Sequence, residues 1–275
     1  MIRRAFAVIA ATSACVSGPP LHAPSAGAQV EEMLAAGLSA LQLGRFDASF
    51  VAADAFSWGT GPRDVFTSRE ELSRSAPGQP FVAHDVERHV YPARDGQSAW
   101  FWEIYARPGH LVRHTGLAAR AEGKWMILAQ HTSFAHGPET DKRDEEGTLP
   151  DLAPVGDAVG RGADEIARLL RTVVFVDRMI SAATAGDFVL IGTDPAYLAG
   201  TVVRPPDRAG ENGPRPRDGV RAGLGPGGLT AWAAANVIWL ENGKRKMGPM
   251  RFLYVFTRED GHWRLVQNHH SYAVD

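Results

Sequence analysis

One phrase is written twice in this chain. Trp125, His131, Ser133, Phe134 and Ala135 recur at the same spacing as Trp263, His269, Ser271, Tyr272 and Ala273. The agreement extends backwards, with Arg113 and Arg251 twelve residues before the Trp, Arg120 and Arg258 five before, an acid three before and a Gly two before. Further back, residues 98–106 (SAWFWEIYA) parallel 230–238 (TAWAAANVI), and residues 56–62 (FSWGTGP) parallel 189–195 (VLIGTDP). Four correspondences in one order make residues 30–137 and 162–275 two copies of one unit. Residues 138–161 between them, rich in charge, Gly and Pro, read as a linker.

Each copy opens on apolar residues at helical spacing, over residues 30–46 in the first and 164–188 in the second. Ser68, with an acid three residues on, predicts the N-cap of a short second helix over 68–74. Runs of β-branched and aromatic residues follow, and Glu122-Gly123 and Asp260-Gly261 predict tight hairpins joining the last two strands of each copy. Helices first and an antiparallel sheet afterwards define an α+β class. Residues 204–228, rich in Gly and Pro, read as a mobile loop or lid in the second copy.

The first 28 residues differ from the rest. Arg3 and Arg4 precede an apolar run too short for a bilayer, and Ala26 and Ala28 form a small-x-small cleavage pattern, so residues 1–28 read as an export signal. The double Arg leaves a twin-arginine route and an ordinary secretory route both open. Cys15, the single cysteine, lies here behind a poor lipoprotein box, so cleavage after Ala28 would leave no thiol for a disulfide. The formal net charge of -2 would become more negative on loss of the two Arg residues, and the remaining charges are mixed along the chain. That distribution offers no electrostatic footprint for nucleic acid.

The order of long helix, Gly-Thr turn, short helix and strands ending in Trp-x5-His-x-Ser resembles the SnoaL-like branch of the nuclear transport factor 2-like superfamily, which includes ketosteroid isomerase. The resemblance covers the mature chain twice. It implies two tandem cone-shaped domains, each a curved sheet wrapped around N-terminal helices with a pocket between them. It does not fix a reaction, because the superfamily includes isomerases, dehydratases, ligand carriers and oligomerisation domains.

Alternation along a strand divides the doubled phrase into two faces. Trp125, Ile127, Ala129, His131 and Ser133 fall on one, matched by Trp263, Leu265, Gln267, His269 and Ser271. This set largely repeats, as a framework should, so its His and Ser residues read as structural, with a ligand role left open. The other set changes between copies and points to Gln130, Thr132, Asn268 and Tyr272 as pocket residues. Parity adds His114 to the first pocket, and Trp102 and Tyr105 are its aromatic candidates. Tyr254 and His270, beside Asn268, form a candidate catalytic pair for polarising a carbonyl.

Asp54, Asp177 and Asp194 are the acids nearest to pocket-forming segments, but each reads as a cap or surface charge. No zinc motif and no phosphate loop are present, so neither a metal nor a cofactor is expected. These residues support binding of a small, largely apolar molecule, with the second copy as the better site beneath its loop. A lyase or isomerase, or a scaffold whose copies pack sheet to sheet as a built-in dimer, are the alternatives.

Overall fold

The computed structural model describes residues 24–75, 79–136, 138–160, 162–171, 189–191 and 213–273. Residues 1–23, Cys15 among them, lie outside this set, as do Asp177, Asp194 and residues 172–188, for which a helix was expected.

Helix α1 spans Ala26–Gln42, and Ser25 caps it by accepting from the Ala28 amide at 3.2 Å. It therefore starts inside the segment read as a leader. Val30, Met33, Leu34 and Leu38 form its buried stripe. The first unit continues through β1 (Val51–Trp58), β2 (Val65–Phe66), α2 (Arg69–Ser75), β3 (His84–Pro92), β4 (Ser98–Arg107), β5 (His110–Ala121) and β6 (Lys124–Phe134). Its strands run in the order β2-β1-β6-β5-β4-β3.

Between the units lie α3 (Pro138–Glu145) and β7 (Ala158–Val159). The second unit contains α4 (Asp164–Arg171), β8 (Val189–Ile191), β9 (Gly213–Pro216), β10 (Arg221–Leu224), β11 (Thr230–Glu241), β12 (Lys244–Glu259) and β13 (His262–Ser271). Its order is β7-β10-β11-β12-β13-β8, with β9 also on β11. The α+β class and tandem arrangement hold, but both sheets are mixed. β1 runs parallel to β6, β8 to β13 and β7 to β10, whereas the remaining pairs are antiparallel.

Both connecting segments contribute strands or helix where they are described. Within the expected loop of 204–228, of which residues 204–212 lie outside the described set, β9 and β10 both pair with β11. The prolines of β9 fit because it is a short edge strand, where a missing amide hydrogen costs little. The connection 138–161 docks through Asp144, whose carboxylate accepts from Tyr272 Oη at 2.9 Å, Gly248 N at 2.9 Å and Arg245 Nη2 at 3.0 Å. Tyr272 is thereby a structural anchor for α3 rather than a pocket residue.

The face assignment requires a correction. Strict alternation fails because each final strand carries a β-bulge, at Leu128 opposite Leu117/Ala118 and at Val266 opposite Val255/Phe256. Trp125 and Ile127 consequently pack beneath α1, and Trp125 Nε1 donates to Gln29 at 3.0 Å. Trp263 likewise donates to Glu165 of α4 at 3.0 Å. Beyond the bulges, His131, Ser133, His269 and Ser271 turn the other way and meet between the two sheets.

There the copies exchange partners. His131 Nε2 is 2.8 Å from Ser271 Oγ, and His269 Nε2 is 2.8 Å from Ser133 Oγ. The two imidazoles stack with centroids 3.8 Å apart. His269 Nδ1 also meets Thr115 Oγ1 at 2.9 Å, whereas the equivalent position facing His131 is Leu253. Around this centre, Gln267 donates to Phe101 O at 2.9 Å and Arg251 to Gly59 O at 2.8 Å, its guanidinium lying 4.7 Å over the Trp58 ring. Burial lowers the Arg251 pKa to about 10, which leaves it charged at neutral pH.

Burial, with the charge of Arg251, holds His131 well below 6.5, and burial beside His131 does the same to His269. Both are neutral when folded and accept a proton near pH 6.5 only on unfolding, so their stabilising effect is complete above that pH and lost below it. We expect stability to fall from about pH 6.5 toward pH 5 by roughly 1.4 kcal/mol per pH unit for each histidine. Urea unfolding of the whole chain across this window tests it, and a flat profile would contradict it.

Candidate ligand site

A cavity of about 320 Å³ lies in the first unit between α1 and the sheet. Met33, Leu34, Leu38 and Leu41 supply its helix wall, and Phe50, Phe81, Val112 and Phe134 are among its other apolar residues. Alternation on β4 turns Glu103 and Tyr105 toward this space. Trp102 consequently faces the other way, into a cluster with Val189 and Ile191 of the second unit, stacked 4.2 Å from the His89 ring. This removes Trp102 from the expected pocket set. Tyr105, His114, Gln130 and Thr132 do line the cavity.

Two of them, His114 and Gln130, belong to a continuous chain of polar atoms. Arg88 donates to Glu103 Oε2 through Nη2 at 2.6 Å and Nε at 2.9 Å. Glu103 Oε1 is 2.8 Å from His114 Nδ1, His114 Nε2 is 2.9 Å from Gln130 Oε1, and Gln130 Nε2 donates to Ser57 Oγ at 3.1 Å. A carboxylate only accepts, so His114 Nδ1 donates to Glu103, while the role of Nε2 follows from which way the Gln130 amide is turned.

Glu103 is buried, with 4% of its side chain exposed. Burial alone would raise its pKa, but the hydrogen bond and charge of His114, with those of Arg88, hold it below the usual carboxylate range. Tyr105 is pushed upward by burial and by the Glu103 charge, so its hydroxyl remains protonated. The acid was missed in the sequence because "WFWEIY" looks like core. Its register opposite His114, in an otherwise apolar strand segment, is the signal that could have found it.

The second unit differs at the equivalent positions. Where the first has Glu103 opposite His114, the second pairs Ala235 with Phe252. Where the first has Gly116 opposite Gln130, the second pairs Tyr254 with Asn268. A Cβ on Gly116 would come within 2.8 Å of the Phe101 ring, so a glycine there keeps the first unit uncrowded. Tyr254 instead joins a ladder, stacking at 5.5 Å on Phe252 and 6.3 Å from Phe256.

Phe252 also stacks on His270 at 5.1 Å, so one ring contacts both members of the expected catalytic pair. Burial lowers the His270 pKa to about 4 and raises that of Tyr254, disfavouring the charged form of each. His270 Nδ1 and Asn268 Oδ1 are buried without a hydrogen-bond partner among the described residues. The cavity touching Tyr254, between Leu170 and Pro214, is only about 10 Å³. A cleft of about 340 Å³ does lie between the units beside Phe56 and Trp232, but the Glu103 chain is not part of it. Asp54 borders that cleft and is exposed. Among the described residues, no group of three or more His, Cys, Asp or Glu is arranged to hold a metal.

We expect Glu103→Ala to lower stability by roughly 3 kcal/mol, since Arg88 would lose its buried partner. Glu103→Gln should cost less because it keeps an acceptor. Urea unfolding tests both, and a loss for Glu103→Ala below about 1 kcal/mol would show that the pair does not hold this site together.

Residues 218–275 match the SnoaL-like domain family, a segment that includes β10 to β13. The fold is similar to that of several solved structures at low identity. A presumed dehydratase of the NTF2-like family from Streptomyces avermitilis is 20% identical over 40% of this chain and 97% of its own, with a TM-score of 0.33. An NTF2-like protein of unknown function from Silicibacter pomeroyi is 14% identical over 39% and 93%, with a TM-score of 0.32. The CamKII hub homology domain of Chlamydamonas reinhardtii is 15% identical over 40% and 98%, with a TM-score of 0.31. No curated protein matches the chain.

Proposed function

We propose that the first unit binds a small, largely apolar organic molecule and holds one polar group of it against His114, Gln130 and Ser57. The observation that carries this reading is the cavity of about 320 Å³ whose apolar walls enclose a charge-compensated Glu103–His114 pair. Apolar walls with a few converging polar groups are the usual chemistry of a small-molecule site. The second unit was the stronger candidate from sequence, but the aromatic ladder of Phe252, Tyr254 and Phe256 occupies its equivalent face. Its role in this reading is to brace the first.

Gly37 on α1 lines the cavity, and a Cβ there meets only Phe50 at an ordinary 3.8 Å. Gly37→Leu should therefore fold and fill the site. Thermal shift against a panel of hydrophobic metabolites should give a rise of several degrees for the parent chain and none for Gly37→Leu. An identical response from both would place binding elsewhere, and no response from the parent would remove the reading.

The Glu103–His114 pair supports a second reading, a lyase or isomerase in which the buried carboxylate orients an imidazole that moves the proton. His114→Gln would abolish turnover on that reading and leave the fold intact. Turnover dependent on His270 and Tyr254 instead would return the chemistry to the second unit. Export of the chain rests on the residues 1–28 alone, and fractionation of cells producing the full chain tests it. No helix among the described residues is long and apolar enough to cross a membrane.

A further inference from the structure

Arg107 is the cation of the cavity wall that the Glu103 chain does not use. It ends β4, lines the cavity, and lies over two rings, 4.7 Å from the Phe134 centroid and 5.7 Å from that of Phe81. Phe81 is itself steadied by stacking on Tyr105 at 6.2 Å. Among the described residues, no carboxylate lies within ion-pair distance of Arg107.

Aromatic rings engage the flat face of a guanidinium and leave its N–H edge available. That edge is a fork matched to a carboxylate. Arg107 and Glu103 share one face of β4, four residues apart, which at the strand rise separates their backbones by about 13 Å. The acids of the wall do not compete strongly for the same ligand. Glu103 is neutralised by Arg88 and His114, Asp47 Oδ1 accepts from Ser49 N at 2.9 Å, and Asp64 Oδ2 accepts from Gly61 N at 2.7 Å.

We propose that the ligand of the first unit is an amphipathic organic monocarboxylate, its anionic head on Arg107 and its apolar body along α1. A hydroxyl or carbonyl oxygen about 13 Å from that head would meet His114 and Gln130, given the strand rise between the two polar sites. This rests on the cavity reading above and adds the charge and polarity pattern of what fills it.

Calorimetric titration of the whole chain with 10-hydroxydecanoate and with the neutral 1,10-decanediol separates the two claims. The acid should bind more tightly than the diol by roughly tenfold or more, as a charge-assisted hydrogen bond implies. Arg107→Gln should remove that advantage while leaving diol affinity unchanged, and Arg107→Lys should restore part of it. Equal binding of acid and diol by the parent, or an unchanged acid affinity in Arg107→Gln, would overturn the anion assignment and leave the cavity reading standing. Failure of both probes to bind would overturn the assignment together with the reading on which it rests.

Discussion

The structure depends on a reciprocal exchange at its centre, in which each unit's histidine meets the other unit's serine through Nε2. A buried neutral imidazole and a buried hydroxyl both need hydrogen-bond partners. Neither sheet supplies these partners from its own strand, so each unit is complete only against its twin. This is the logic of a twofold interface, in which one patch recognises itself, written here within a single chain. Gln267 and Arg251 extend it by bonding to backbone oxygens of the first unit, so the sheets are fixed in register as well as in contact.

Given that shared framework, the cone-side faces have diverged. His114 and Gly116 on β5 correspond to Phe252 and Tyr254 on β12, and Glu103 on β4 to Ala235 on β11. The same sheet geometry therefore presents polar atoms to a hollow in one unit and stacked rings in the other. The residues that differ least between copies hold the sheets together, while those that differ most decide what the interior contains.

Much of this was legible in the sequence for a physical reason: spacing relative to Trp125 and Trp263 survives because each Trp is pinned by a hydrogen bond to its own helix, through Gln29 and Glu165. The hairpins were legible because Glu122, Gly123, Asp260 and Gly261 all adopt positive φ, which the turn demands. What alternation could not supply was the bulges at Leu128 and Val266, since an extra residue reverses facing without leaving a compositional mark. Glu103 was hidden because its counter-charges, Arg88 and His114, come from neighbouring strands. Asp144 was hidden likewise, its partners Gly248 and Tyr272 lying far along the chain.

The contact between α3 and β12 has a consequence for assembly. Because one chain joins the units and Asp144 fastens part of the connection onto the second, the partner surfaces remain at a high effective concentration however dilute the protein becomes. Association between the halves is then a folding event with first-order kinetics, insensitive to expression level. Such a tether lets the interface keep an unequal pair, with Leu253 at the position where the other unit has Thr115 bonded to His269.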